Sequence, residues 1–363
     1  MPRTGSTTFQ HILERSRPEL IAAGILYPDL TPNSVGADKQ LSHQHFGQTL
    51  DGRRPRHERE ELLRSLSTAL TQSNCDTVLI SYEDFIQQRP RFRIPEFLGN
   101  FFAERGYRAE ALVTVKPQSE NLNSMYTLRT QMIRERRDFA HFARSHMESA
   151  RFEYDRLIEP WSAAFSGRVR AVPVWDRRLR APFLMRLLAE LRLYRRVAPT
   201  LQPKDLRRVE NRSPGPVAVE VSRRLRAMRT HTRLDSPRDM MRVVQRLAYQ
   251  RGYDREKFNG AGPELCAEMD ARYRDVNERF ARMVWKKGWD EIVAPEPSRP
   301  VNELIAGRID QKTEADIVDI LRQASEQFAV EPCHSVFNDP LNLVTEGIEA
   351  LQRRLRLSRW RVV

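Results

Sequence analysis

Three short apolar runs limit this fold more than any other feature. Residues 77–81, 111–115 and 169–174 are each too short for an independent helix and rich in β-branched side chains, as expected of strands buried on both faces. Between them the apolar spacing turns helical, over residues 6–15, 58–70, 95–106 and 120–136. Ser16, Arg17, Pro18 and Glu19 read as a capping box that opens a short helix ending at Gly24, and residues 29–56 read as irregular. Alternation of this kind implies an α/β fold, a parallel sheet flanked by helices. Beyond Pro182 the pattern is almost wholly helical, over residues 183–195, 216–229, 237–252 and 262–287. Pro295, Pro297 and Pro300 mark a linker, and residues 314–328 and 341–357 read as two tail helices. The expected organisation is one α/β domain over 1–293, with 183–290 as a mostly helical cap. A linker over 294–311 and a helical extension over 312–363 follow.

At the N-terminus, Pro2-Arg3-Thr4-Gly5-Ser6-Thr7-Thr8-Phe9-Gln10 reads as a glycine-containing loop running directly into a helix. Backbone N–H groups at a helix start, clustered hydroxyls and an adjacent cation suit a phosphate or sulfate. The same residues also suit an ordinary helix cap. A phosphate loop of this type needs a buried strand before it, and Met1 precedes it directly. The expectation is therefore that the natural chain begins about a dozen residues upstream.

Together with four later segments, this loop resembles the sulfotransferase family, most closely its bacterial-type members with a P-loop-like donor site. The segments are Gly24-Ile25-Leu26-Tyr27-Pro28, the turn after the first helix, and the run ending in Ser81-Tyr82-Glu83. Next come Lys116-Pro117-Gln118 with Ser124-Met125-Tyr126, and then residues 274–281 around Asn277. The resemblance covers roughly residues 1–290 and implies a P-loop NTPase-like sulfotransferase fold. It also implies the sulfuryl donor 3′-phosphoadenosine 5′-phosphosulfate, with no metal. Arg3, Thr4, Gly5, Ser6, Thr7 and Thr8 would then cradle the 5′-phosphosulfate, with Arg3 as the cation. Lys116 and Ser124, eight positions apart, would hold the 3′-phosphate. Two departures stand out. Arg3 replaces the usual lysine, so it stabilises a leaving group without readily donating a proton, and Lys116 replaces a bidentate arginine with a point charge.

Glu83 is the candidate base, because it closes the strand that delivers an acidic side chain to the acceptor in this family. A carboxylate favoured by a helix dipole is the alternative reading. His43 and His45, in the irregular segment, form a rival pair suited to proton transfer near neutral pH. Asp38, Asp51 and His57 complete no metal-ligand spacing with them. Arg208, Asn211, Arg212 and Ser213 form a polar cluster in which Arg212 could close over the nucleotide, or which could merely cap the next helix.

Lysine and arginine number 61 against 48 acidic residues, a net charge of +13. That surface favours anionic partners, and tilts the hydroxyl- or amine-bearing acceptor toward an anionic glycan or lipid, with peripheral membrane contact left open. The arginines lack the aromatic interleaving of a nucleic-acid groove. Cys75, Cys266 and Cys333 are widely spaced, which argues against a disulfide framework or zinc site. With no apolar membrane span or leader, the expected location is cytoplasmic. The Walker pattern is absent, disfavouring a P-loop kinase. A non-catalytic basic binding protein that retains the fold is the competing expectation.

Overall fold

The computed structural model describes residues 6–36, 41–87, 90–202, 205, 213–228, 237–295, 300–305 and 307–328. These residues are mostly helical and hold two small parallel sheets. In chain order the strands are β1 (Ile25–Leu26), β2 (Thr77–Val78), β3 (Ala111–Val115) and β4 (Val169–Pro173). β1 pairs with β2 with Ile25 opposite Thr77, and β3 pairs with β4 with Ala111 opposite Val169. The helices are α1 (Ser6–Arg15), α2 (Arg17–Ala22), α3 (Gln44–Leu50), α4 (Arg56–Gln72), α5 (Ile94–Ala103), α6 (Gln118–Gln131), α7 (Phe139–Met147) and α8 (Tyr154–Ala164). They continue with α9 (Phe183–Glu190), α10 (Tyr194–Val197), α11 (Pro216–Met228), α12 (Pro237–Gln250), α13 (Pro263–Trp285), α14 (Trp289–Ile292) and α15 (Gln311–Gln327).

The chain divides into two units, one of Met1–Leu128, Asp138–Ser213 and Lys257–Glu303, the other of Arg129–Arg137, Pro214–Glu256 and Leu304–Val363. The first holds both sheets, and its strands alternate between two apolar layers. Ile25, Leu79, Leu112 and Val172 pack with Phe9, Ile12 and Leu13 of α1 and Leu184, Leu187 and Leu188 of α9. Leu26, Val78, Ile80 and Ala111 face the other layer, with Leu62 and Leu66 of α4, Leu98 of α5 and Ala164 of α8. Period-two alternation in the strands and helical spacing in their neighbours produce this arrangement. Gly24 permits the turn into β1: its φ is +74°, and an added Cβ would lie 2.7 Å from the Arg196 guanidinium.

In the second unit, α11, α12 and α15 bury Val217, Val221, Leu225, Met240, Val244, Ile317, Ile320 and Leu321 in one core. This division differs from the one expected. α11 and α12, read as parts of a cap, share a core with α15, read as a separate extension. Each of the three carries one apolar stripe, and three stripes close on one another without a sheet.

Several boundaries also shift. Ser16 precedes α2, but its side chain makes no cap bond, and its own N–H donates to Ile12 O at the end of α1. The helix expected over 120–136 stops at Gln131, where Ile133 takes a φ of +50°. Residues 29–56, expected to be irregular, contain α3. Residues 341–357 lie outside the described residues.

Candidate functional site

The loop that follows β2 carries Ser81, Tyr82 and Glu83, and three elements converge on it. His43, which precedes α3, exchanges hydrogen bonds with Ser81. Its N–H donates to Ser81 O at 2.8 Å, and Ser81 N–H donates to His43 Nδ1 at 2.8 Å. His43 Nε2–H donates to Pro28 O at 2.9 Å, and the ring meets Tyr27 edge-on at 4.5 Å between centroids. An acceptor Nδ1 and a donor Nε2 define a neutral imidazole. Burial pushes its pKa down to about 4, only partly opposed by the bond to Pro28. Both ring nitrogens are therefore committed, and His43 can take a proton only by giving up its bond from Ser81.

From the other side, Gln10 of α1 donates Nε2–H to Ser81 Oγ at 3.0 Å, and Ser6 Oγ at the start of α1 donates to the Glu83 carboxylate. The expected donor-end hydroxyl and the expected base are thus brought together. Thr7 and Thr8 lie in the same first turn of α1. Arg3, Thr4, Gly5, Arg208, Asn211 and Arg212 lie outside the described residues.

The two ring nitrogens of His43 bond to Pro28 and Ser81, not to His45. His45, in the first turn of α3, is buried, and burial first and Arg54 second lower its pKa. Sequence reasoning overlooked Arg53. Asp51 anchors its guanidinium, with Nε donating to Asp51 Oδ2 at 2.6 Å. Its Nη2 donates to Tyr82 Oη at 2.9 Å, and Tyr82 Oη donates to Asp84 at 3.1 Å. This places a cation beside the Glu83 turn, and only its distant contacts, not its local pattern, mark it out.

A second cluster follows β3. Lys116 is buried, and its Nζ donates to Ser124 Oγ at 2.6 Å. The eight-residue spacing therefore folds into direct contact between strand end and helix. Tyr154 Oη donates to Lys116 O at 2.9 Å and accepts from Asn121 Nδ2 at 3.1 Å. Burial raises the phenol's pKa, so it remains a donor. Gln118, the first residue of α6, exchanges amide bonds with Asn277 of α13. Gln118 Nε2 donates to Asn277 Oδ1 at 2.6 Å and to Phe152 O at 3.2 Å, and Asn277 Nδ2 donates to Gln118 Oε1 at 3.0 Å. Tyr154 was not expected here, and Gln118 and Asn277, though quoted in two separate segments, were not expected to meet.

An ammonium held out of bulk water beside a hydroxyl, at the end of a parallel strand and the start of a helix, is chemistry suited to a phosphate monoester. Among the described residues no group of three His, Cys, Asp or Glu side chains gathers as a metal-ligand set, and no helix is long and apolar enough to cross a membrane. The chain matches no family model, no curated protein and no solved structure.

Proposed function

We propose that this chain is a cytoplasmic sulfotransferase of the P-loop-like kind, moving a sulfuryl group from 3′-phosphoadenosine 5′-phosphosulfate to a hydroxyl or amine. The observation that carries the reading is the contact of the buried Lys116 ammonium with Ser124. In this reading the two hold the 3′-phosphate. Ser6, Thr7 and Thr8 at the start of α1 meet the 5′-phosphosulfate, together with Arg3, Thr4 and Gly5. Glu83 accepts the acceptor's proton as the new sulfur–oxygen or sulfur–nitrogen bond forms. The bond from sulfur to the 5′-phosphate oxygen breaks, leaving 3′-phosphoadenosine 5′-phosphate. The hydrogen bond from Ser6 to Glu83 supports this assignment, because it links the donor end to the base.

Calorimetric titration with 3′-phosphoadenosine 5′-phosphate tests the reading. Micromolar affinity is expected, with Ser124→Ala weakening it about tenfold or more, equivalent to about 1.4 kcal/mol. Lys116→Ala is expected to abolish it. Absence of binding by the folded chain favours the basic, non-catalytic binding protein instead.

A further inference from the structure

The segment that joins β4 to α9, residues 174–182, is fastened from within. Val174 N–H donates to Val115 O at 2.8 Å, Trp175 O accepts from Ala294 N–H at 3.0 Å, and Arg177 N–H donates to Ile292 O at 3.0 Å. Asp176 Oδ1 accepts from the N–H groups of Arg178 at 2.8 Å and Leu179 at 3.1 Å, a side-chain turn that sets the tip of the loop. The guanidinium of Arg186, on α9, ties the two ends of the loop together. It donates to Pro173 O at 2.7 Å, to Val174 O at 2.6 Å and to Ala181 O at 3.1 Å.

While the backbone is tied inward, the side chains face out. Residues 177–182 are all exposed, so the loop stands proud as a convex tip. Leu179 is 52% exposed and Trp175 40%, an unusual pair to hold in water on a loop so firmly fastened. Asp176, the one acid of the segment, has its side chain buried, 3.5 Å from Arg178 and 3.9 Å from Arg186. On the neighbouring α14, Glu291 is turned back to the N–H of Gly288. What the loop itself offers to solvent is therefore apolar or cationic: Trp175 and Leu179, interleaved with Arg177, Arg178 and Arg180.

We propose that this loop seats the protein on an anionic lipid bilayer, with Leu179 and Trp175 entering the interfacial layer and the three arginines meeting headgroup phosphates. Indole rings favour the boundary between headgroups and hydrocarbon. Arginine stems lie along apolar surface while their guanidinium groups reach phosphate oxygens, and an anionic leaflet attracts such cations. Shape favours a bilayer over an acidic protein, because a convex tip needs a matching cavity in a folded partner, whereas a fluid layer deforms around it. The net charge of +13 draws the whole molecule to the same kind of surface. The inference does not rest on sulfuryl transfer, and it holds for a chain that binds no nucleotide.

Vesicle co-sedimentation of the full chain tests it, in about 0.1 M salt, with vesicles of phosphatidylcholine alone and of phosphatidylcholine with about a quarter phosphatidylserine. Binding is expected to the second kind only, with a blue shift of tryptophan fluorescence that Trp175→Phe largely removes. Arg178→Gln together with Arg180→Gln is expected to weaken binding about thirtyfold, from about fivefold for each charge. Leu179→Ser, at an exposed position, is expected to weaken it about threefold or more, with melting temperature held. Soluble glycerophosphoserine, a headgroup without chains, is expected not to compete. Absence of binding to both kinds of vesicle overturns the proposal. So does binding that these variants leave unchanged, which would assign it to basic surface elsewhere on the chain. Binding lost with the arginines but indifferent to Leu179→Ser and Trp175→Phe overturns the insertion, and capture of polyglutamate in place of vesicles would assign the loop to an acidic protein instead.

Discussion

His43 and Glu83 both adjoin Ser81, His43 through space by reciprocal hydrogen bonds and Glu83 two positions along the chain. Their chemistry diverges accordingly. His43 is neutral and buried, so its folded pKa of about 4 lies below the unfolded value of about 6.5. Stability from this group is fully present above pH 6.5 and is lost as pH falls toward 4, by on the order of 3 kcal/mol. His43→Asn keeps an acceptor near Nδ1 and cannot titrate. Denaturant titrations at pH 7 and pH 5 are expected to show a less stable variant at pH 7 whose further loss by pH 5 is smaller than that of the parent chain. A parent chain equally stable at both pH values contradicts the assignment. For Glu83, Glu83→Gln keeps an acceptor for Ser6 but removes basicity. Sulfuryl transfer is expected to fall by about 10²–10⁴-fold, with nucleotide affinity and melting temperature held. Glu83 stands out in the sequence at the close of an apolar run, and the structure puts it in the turn beyond β2, against Ser6. The role of His43 does not stand out there, because it depends on a partner 38 positions away and on burial that no local pattern encodes.

Elements were legible in proportion to their length and regularity. β3 and α1 stand where periodicity puts them, because five consecutive apolar or β-branched residues and a clean three- and four-step stripe leave few alternatives. β1 is only Ile25–Leu26 and reads as a turn until β2 is placed beside it. α3 begins without a side-chain cap and contains Gly47, which explains its absence from the expected helices. That glycine is required by a neighbour, since an added Cβ would sit 2.2 Å from the Tyr82 ring. Gly47→Ala is expected to displace the Tyr82 ring and cost about 1–3 kcal/mol, read by urea denaturation. A loss below about 0.5 kcal/mol would mean that the ring moves aside without penalty. At the other cluster, Asn277→Leu leaves the Gln118 amide without its reciprocal partner inside the core. The expected cost is about 1–3 kcal/mol, together with weaker binding of 3′-phosphoadenosine 5′-phosphate, because Gln118 fixes the start of the helix that carries Ser124. Binding unchanged at equal destabilisation would separate the amide pair from the Lys116 seat.

At the scale of the whole molecule, the chain builds its second unit from three separated stretches, 129–137, 214–256 and 304 onward. Composition cannot reveal such an arrangement. The prolines at 295, 297 and 300 suggest a linker to an independent tail, yet α15 beyond them completes a core begun by α11 and α12. What decides is which stripes remain to be covered. Val217, Val221 and Leu225 on α11 and Met240 and Val244 on α12 are buried by Ile317, Ile320 and Leu321 from α15. Charge follows the same partnership: Arg224 of α11 pairs with Glu314, and Arg251 after α12 with Asp316 and Asp319, all three acids on α15. Ile320 is fully buried in this core, so Ile320→Ala removes three methyl or methylene groups and leaves a cavity among three helices, at an expected cost of about 2–5 kcal/mol. Because β3 and β4 belong to the other unit, the loss is expected in the exchange rates of α11 and α12 amides and not in those of Val113 and Val115. Equal acceleration in both sets would mean that the two units unfold as one cooperative body. Acceleration confined to α15 would mean that the three stripes do not share one core.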